Sequence, residues 1–212
     1  MVSTRTAAAV DVRDLPREVR DAIDMYIPGG IPARSAHYYV QAEYVRLLRA
    51  RAQAERNAER WQRNVAELEQ KLHPLSVRDV TNYVTDNCYQ VDILLHPDLD
   101  LPDDPADLLG TLPRGVRIAS IYASFLAPAS WMGVRKVVRE GRRGSRVEWE
   151  SPLRSPSQKV RLVASEVLRT LGWQWLSNEQ VRQKIADLQL RGVDPGETCV
   201  GHVLFSTNLE FS

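Results

Sequence analysis

Between Pro32 and Pro74 the chain runs for forty residues, Ala33 to Leu72, without a Gly or a Pro. A stretch that long and free of both breakers is predicted as one continuous helix that Pro74 stops. Along it Val40, Tyr44, Leu47, Ala54, Ala58, Trp61, Val65, Leu68 and Leu72 recur at spacings of 4, 3, 7, 4, 3, 4, 3 and 4. Arg51 is the one charge in this seam. Such a heptad pattern predicts coiled-coil-like packing along the helix. Glu59 with Arg63 and Glu67 with Lys71 add i,i+4 pairs in the favourable order.

The length of that helix sets a problem. At 1.5 Å per residue it would span about 60 Å, whereas a compact chain of this size is roughly 40–45 Å across. Either other helices of the chain cover the seam, or part of it meets another molecule. Seam residues of mixed size, Trp61 beside Ala54 and Ala58, suit irregular packing better than a two-stranded zipper.

Around this stretch the chain reads as follows. Residues 1–13 are expected to be a loose tail. Leu15 to Ile27 is a short helix with Val19, Ala22, Ile23 and Tyr26 on one face. Val77, Val80, Val84, Cys88 and Val91 predict a third helix, after Ser76, folded back on the long one. The helical part thus covers 14–91. Residues 92–114 carry Asp92, Asp98, Asp100, Asp103, Asp104 and Asp107 among four prolines, and read as an acidic linker. They lack the Gly and distal Glu of a calcium loop.

The part from 115 to 212 is expected to be a small mixed domain of about three strands and two helices. Gly115–Leu126 reads as a buried strand, and Gly133–Arg139 with Ser145–Glu150 as a hairpin. A helix follows from Pro156 to Leu171. Another is launched by a capping box at Ser177 and Gln180 and runs to Gly192. Thr198–Ser206 is predicted as a closing strand. The fold class expected is therefore α+β, with a long-helix part preceding the mixed domain.

Chemistry is sparse. The best candidate is the hairpin, where Arg135, Lys136, Arg139, Arg142, Arg143 and Arg146 lie near Trp131 and Trp149 and could grip phosphates and stack a base. Residues 114–169 hold twelve basic and four acidic side chains, and residues 84–113 hold seven acidic and no Lys or Arg. The two segments can equally neutralise each other, and the net charge of the whole chain is only +1. The helices 157–171 and 177–190 allow a helix-turn-helix reading, with Asn178, Gln180, Arg182, Gln183 and Lys184 on a polar face. The four histidines have no metal-ligand spacing, and no phosphate-loop, dinucleotide or hydrolase signature occurs. Cys199 and His202, read on a strand, point to opposite faces.

The expectations are accordingly a non-enzymatic interaction or assembly protein. It would use the seam residues Val40, Tyr44, Leu47, Trp61, Val65, Leu68 and Leu72 to bind itself or a protein partner. A nucleic-acid-binding regulator stands second and an enzyme third. No metal, cofactor or membrane span is expected. Two cysteines far apart point to the cytoplasm, and an Arg-to-Lys ratio of 24 to 4 to a bacterial or phage genome.

Overall fold

The forty-residue stretch is not one helix. The computed structural model describes residues 15–141, 144–150, 154–186 and 188–209. In it α1 (Arg17–Tyr26) is followed by a short 3-10 turn, Ala36–Val40. Gln41 then takes an extended conformation before α2 (Ala42–Arg56), and Asn57 separates α2 from α3 (Ala58–Leu72). Each fifteen-residue helix spans about 22 Å, so neither outruns the globule.

The break falls where the apolar stripe changes partner. Leu47 packs with α1 and the C-terminal segment, whereas Ala54, Trp61, Val65, Leu68 and Leu72 pack on a sheet. Asn57 tolerates the change: its N–H is shared between the carbonyls of Gln53 and Ala54, both 3.1 Å away. Asn favours such interruptions because its side chain competes for the backbone. The coiled-coil expectation is therefore corrected. A period near 3.5 recorded burial against strands and a later helix of the same chain, not a coiled-coil seam.

The sheet is also larger than the three strands expected. β1 (Val77–Asp79), β2 (Cys88–Leu94), β3 (Val116–Ser124), β4 (Ala129–Glu140) and β5 (Gly144–Trp149) form an antiparallel meander, and β6 (Gln174–Trp175) pairs parallel to the start of β4. β1 and β2 occupy the segment expected to be a third helix. Val77, Val80, Thr81, Val84, Thr85 and Val91 are β-branched, and pairing with β3 outweighs a spacing that fits either structure. Ser76 caps nothing; its hydroxyl accepts the N–H of Leu101.

Residues 92–114 are folded against this sheet. Asp92 to Leu94 end β2, residues 105–110 form a second 3-10 turn, and Leu94, Leu109, Val116, Ile118 and Val137 close a small core. The sheet thus joins residues on both sides of the acidic segment. Both of its faces are covered. α3 and α4 (Ser157–Thr170) lie on Val91, Ile93, Ala119, Ile121, Met132 and Val134. α1 and the C-terminal segment cover Cys88, Tyr122 and Trp131 on the other face.

After Gly172, whose φ of +90° ends α4, the two tryptophans of the turn lead into β6 and not into a helix-turn-helix. α5 is only Asn178–Arg182, too short for a recognition helix, and α6 (Val200–Leu204) replaces the predicted final strand. The capping box is present. The Ser177 hydroxyl accepts the Gln180 N–H at 3.2 Å, and the Gln180 side chain accepts the Ser177 N–H at 2.9 Å. Ser177→Ala should lower the unfolding free energy by about 1 kcal/mol, and an unshifted urea midpoint would show that this cap contributes nothing.

Candidate functional site

Residues 25–48 hold a concentration of exposed apolar side chains. Among the described residues, eight large hydrophobic side chains are exposed, and five of them lie here: Met25, Tyr39, Val40, Val45 and Leu48. Val40 is the most exposed of these, at 73%. Val45, Leu48 and the exposed Ala52 follow at i, i+3 and i+7 along the outer face of α2.

The patch is held in place from beneath. The ring of Tyr39 meets that of Tyr44 edge-on at 5.1 Å, and both meet the buried Tyr38 at 5.7 and 5.5 Å. Burial raises the Tyr38 phenol to a pKa of about 12. Arg46 donates from Nε to the Met25 carbonyl at 2.9 Å, which ties the end of α1 to α2. Arg51, the charge in the seam, donates to the carbonyls of Val84 and Thr85 and to Asn87 Oδ1 at 2.7–3.0 Å. A half-buried guanidinium that satisfies three acceptors is a clamp between α2 and the turn before β2.

The seam itself is occupied. Trp61, Val65, Leu68 and Leu72 lie beneath α3 against the sheet, Leu47 is buried beside α1, and Tyr44 is half-buried. Of the predicted partner-binding seam only Val40 is open.

The Arg-rich hairpin divides. Arg139 and Arg146 are exposed and Lys136 is half-buried. Arg146 pairs with Glu148 at 2.5 Å across an open surface, and Arg142 and Arg143 lie outside the described residues. Arg135 faces inward. Its Nη2 donates to Asp92 Oδ2 at 2.5 Å, while Asp92 Oδ1 accepts from Ser120 Oγ at 2.6 Å and from Gln90 Nε2 at 3.3 Å. This polar band crosses the sheet between two apolar clusters. Gly133 stands beside it because a Cβ there would lie 2.5 Å from the Trp149 ring and 2.8 Å from that of Trp131. Nearby, Arg117 grips both oxygens of Glu150 at 2.7 Å and holds that carboxyl below its usual range.

Cys199 and His202 come together, contrary to the strand reading. At the start of α6 their i,i+3 spacing puts Cys199 Sγ 3.4 Å from His202 Nδ1. Nδ1 also accepts the Cys199 N–H at 3.2 Å, so Nε2 carries the proton and donates it to the Leu209 carbonyl at 2.9 Å. Burial raises the thiol pKa and lowers that of the imidazole. Both shifts favour the neutral pair over a thiolate nucleophile. The arrangement is a capping box with His in the place of Gln, a signal C-x-x-H that helix-start reasoning could have used.

It follows that acidification should destabilise the fold. The unfolded imidazole titrates near 6.5 and the folded one lower, so its stabilising contribution is complete above 6.5 and is lost as pH falls through the folded value. His202→Gln keeps the cap without the titration, and should flatten the fall in melting temperature between neutral and mildly acidic pH. His96, also lowered by burial, should leave a residual slope. An unchanged slope in the variant would remove His202 from this account.

Among the described residues no three His, Cys, Asp or Glu side chains gather to hold a metal, and no helix is long and apolar enough to cross a membrane. The chain has no significant match to any protein-family model, curated protein or solved structure.

Proposed function

We propose that the protein is an assembly module that pairs with a second copy of itself through the outer face of α2. The observation that carries this reading is the concentration of exposed apolar side chains at Met25, Tyr39, Val40, Val45 and Leu48. Ala52 lets a second helix come close. A two-fold arrangement would set the same face of α2 against itself in both copies. A stable interface needs about 800 Å² per partner. One helix face supplies less, so Met25 and the Tyr39–Val40 turn must take part and the affinity should be modest.

The test is mass against concentration by sedimentation or light scattering. A reversible dimer is expected at micromolar concentration, and Val45→Glu with Leu48→Glu should leave a folded monomer. A wild-type chain that stays monomeric throughout would end the proposal. Nucleic-acid binding by the hairpin has less support, because Arg135 is engaged with Asp92 and Arg146 with Glu148.

A further inference from the structure

A second surface, away from the outer face of α2, has the features of a small-molecule site. At the break between α2 and α3 lies a cavity of about 390 Å³, within the range of ligand pockets. Its aromatic members pack on one another. Trp61 stacks on Tyr89 at 4.7 Å, Trp173 stands edge-on to both at 6.3 Å, and Phe125 is edge-on to Tyr89 at 5.7 Å. The Trp173 indole donates to the Ser124 carbonyl at 2.8 Å, which fixes that wall.

The one charged side chain lining this cavity is a cation. Asn57 at the break and Arg60 and Asn64 on the following turns of α3 line it, and its lining holds one Arg and no Asp or Glu. Arg60 makes no ion pair among the described residues, and burial raises the pKa of the Tyr89 phenol while the Arg60 charge opposes that rise. Trp61 is 1% exposed, yet its indole N–H has no acceptor among the described residues. A buried donor left without a partner is uncommon and calls for a physical explanation.

We propose that this cavity binds a small planar aromatic carboxylate. The half-buried Phe125 and Trp173 would contact its apolar body, and Arg60 with the Asn64 amide would hold the carboxylate at the rim. An aromatic enclosure also suits an organic cation. The single guanidinium and the absence of any lining carboxylate argue for the anion.

The experiment compares three probes on the same ring system with the full chain by calorimetry, with amide chemical shifts to locate them: naphthoate, its isostere naphthamide, and naphthyl-trimethylammonium. Naphthoate should bind saturably, about tenfold tighter than naphthamide, as expected for one charge-assisted contact at a half-open rim. Its shifts should centre on the Asn57 and Asn64 side chains and on the Trp61 indole. Arg60→Gln, at an exposed position, should weaken naphthoate about tenfold and leave naphthamide unchanged. No saturable binding, equal affinity for acid and amide, preference for the cation, or shifts centred elsewhere would each overturn the assignment. So would an Arg60→Gln variant with unaltered affinity.

Discussion

Replacing Arg135 with Met should lower the unfolding free energy by about 3–5 kcal/mol, the cost of leaving a buried carboxylate without its counter-charge. Asp92 is 3% exposed, and Arg135 is its one cationic partner among the described residues. The Ser120 hydroxyl and the Gln90 amide remain as donors, but neither carries charge. The pair is not itself optimal, because Arg135 Nε is buried without an acceptor among the described residues. Removing both charges should therefore cost far less than removing one. In the double variant Asp92→Leu, Arg135→Met much of the loss should return, and the coupling between the two sites should be about 2–3 kcal/mol. Urea unfolding of the four proteins measures this. If the single Arg135 variant loses under 1 kcal/mol, the band admits water and the ion pair does not hold the sheet.

The same pair shows where sequence reading stops. Arg135 looked like one of six basic residues on a hairpin, and Asp92 like the first of six acids in a linker. Only the register that sets Asp92 opposite Ser120, and Gly133 opposite Ser120 from the other side, brings them to one face of one sheet. Elements decided by local signals were legible: α4 with its apolar stripe and terminal Gly172, the β4–β5 hairpin, and the Ser177 capping box. Elements decided by distant partners were not. Val77 to Val91 fits a helix at i, i+3, i+4 spacing, and becomes two strands because β3 supplies the pairing edge. Asn57 is a single polar residue within a run of helix formers, and the reason for the break is a change of packing partner that no local window contains. At the C-terminus the apolar run around Val200–Phe205 had no period to separate strand from helix, and the wrong choice hid the contact between Cys199 and His202.

Trp61→Ala should cost about 3–5 kcal/mol and Leu68→Ala about 2–5 kcal/mol, the range for emptying a buried aromatic or leucine site. Trp61 is stacked on Tyr89 and meets Trp173 edge-on, so its loss opens a void between α3, β2 and the turn after α4. Leu68 is fully buried in the same cluster. The size of these losses does not by itself separate a core from an interface, because an obligate dimer unfolds as readily when its contact is emptied. Concentration does. If the seam is buried by its own sheet, the destabilisation of each variant is the same at every protein concentration, since no second molecule enters the equilibrium it perturbs. A seam buried between molecules would instead give a midpoint shift that shrinks as protein is added. Val45→Glu with Leu48→Glu should behave in the opposite way, with little change in the unfolding of the dilute chain and a loss confined to the concentrations at which copies associate. A concentration-dependent deficit at Trp61 or Leu68, with none at Val45 and Leu48, would move the assembly surface from the outer face of α2 to α3.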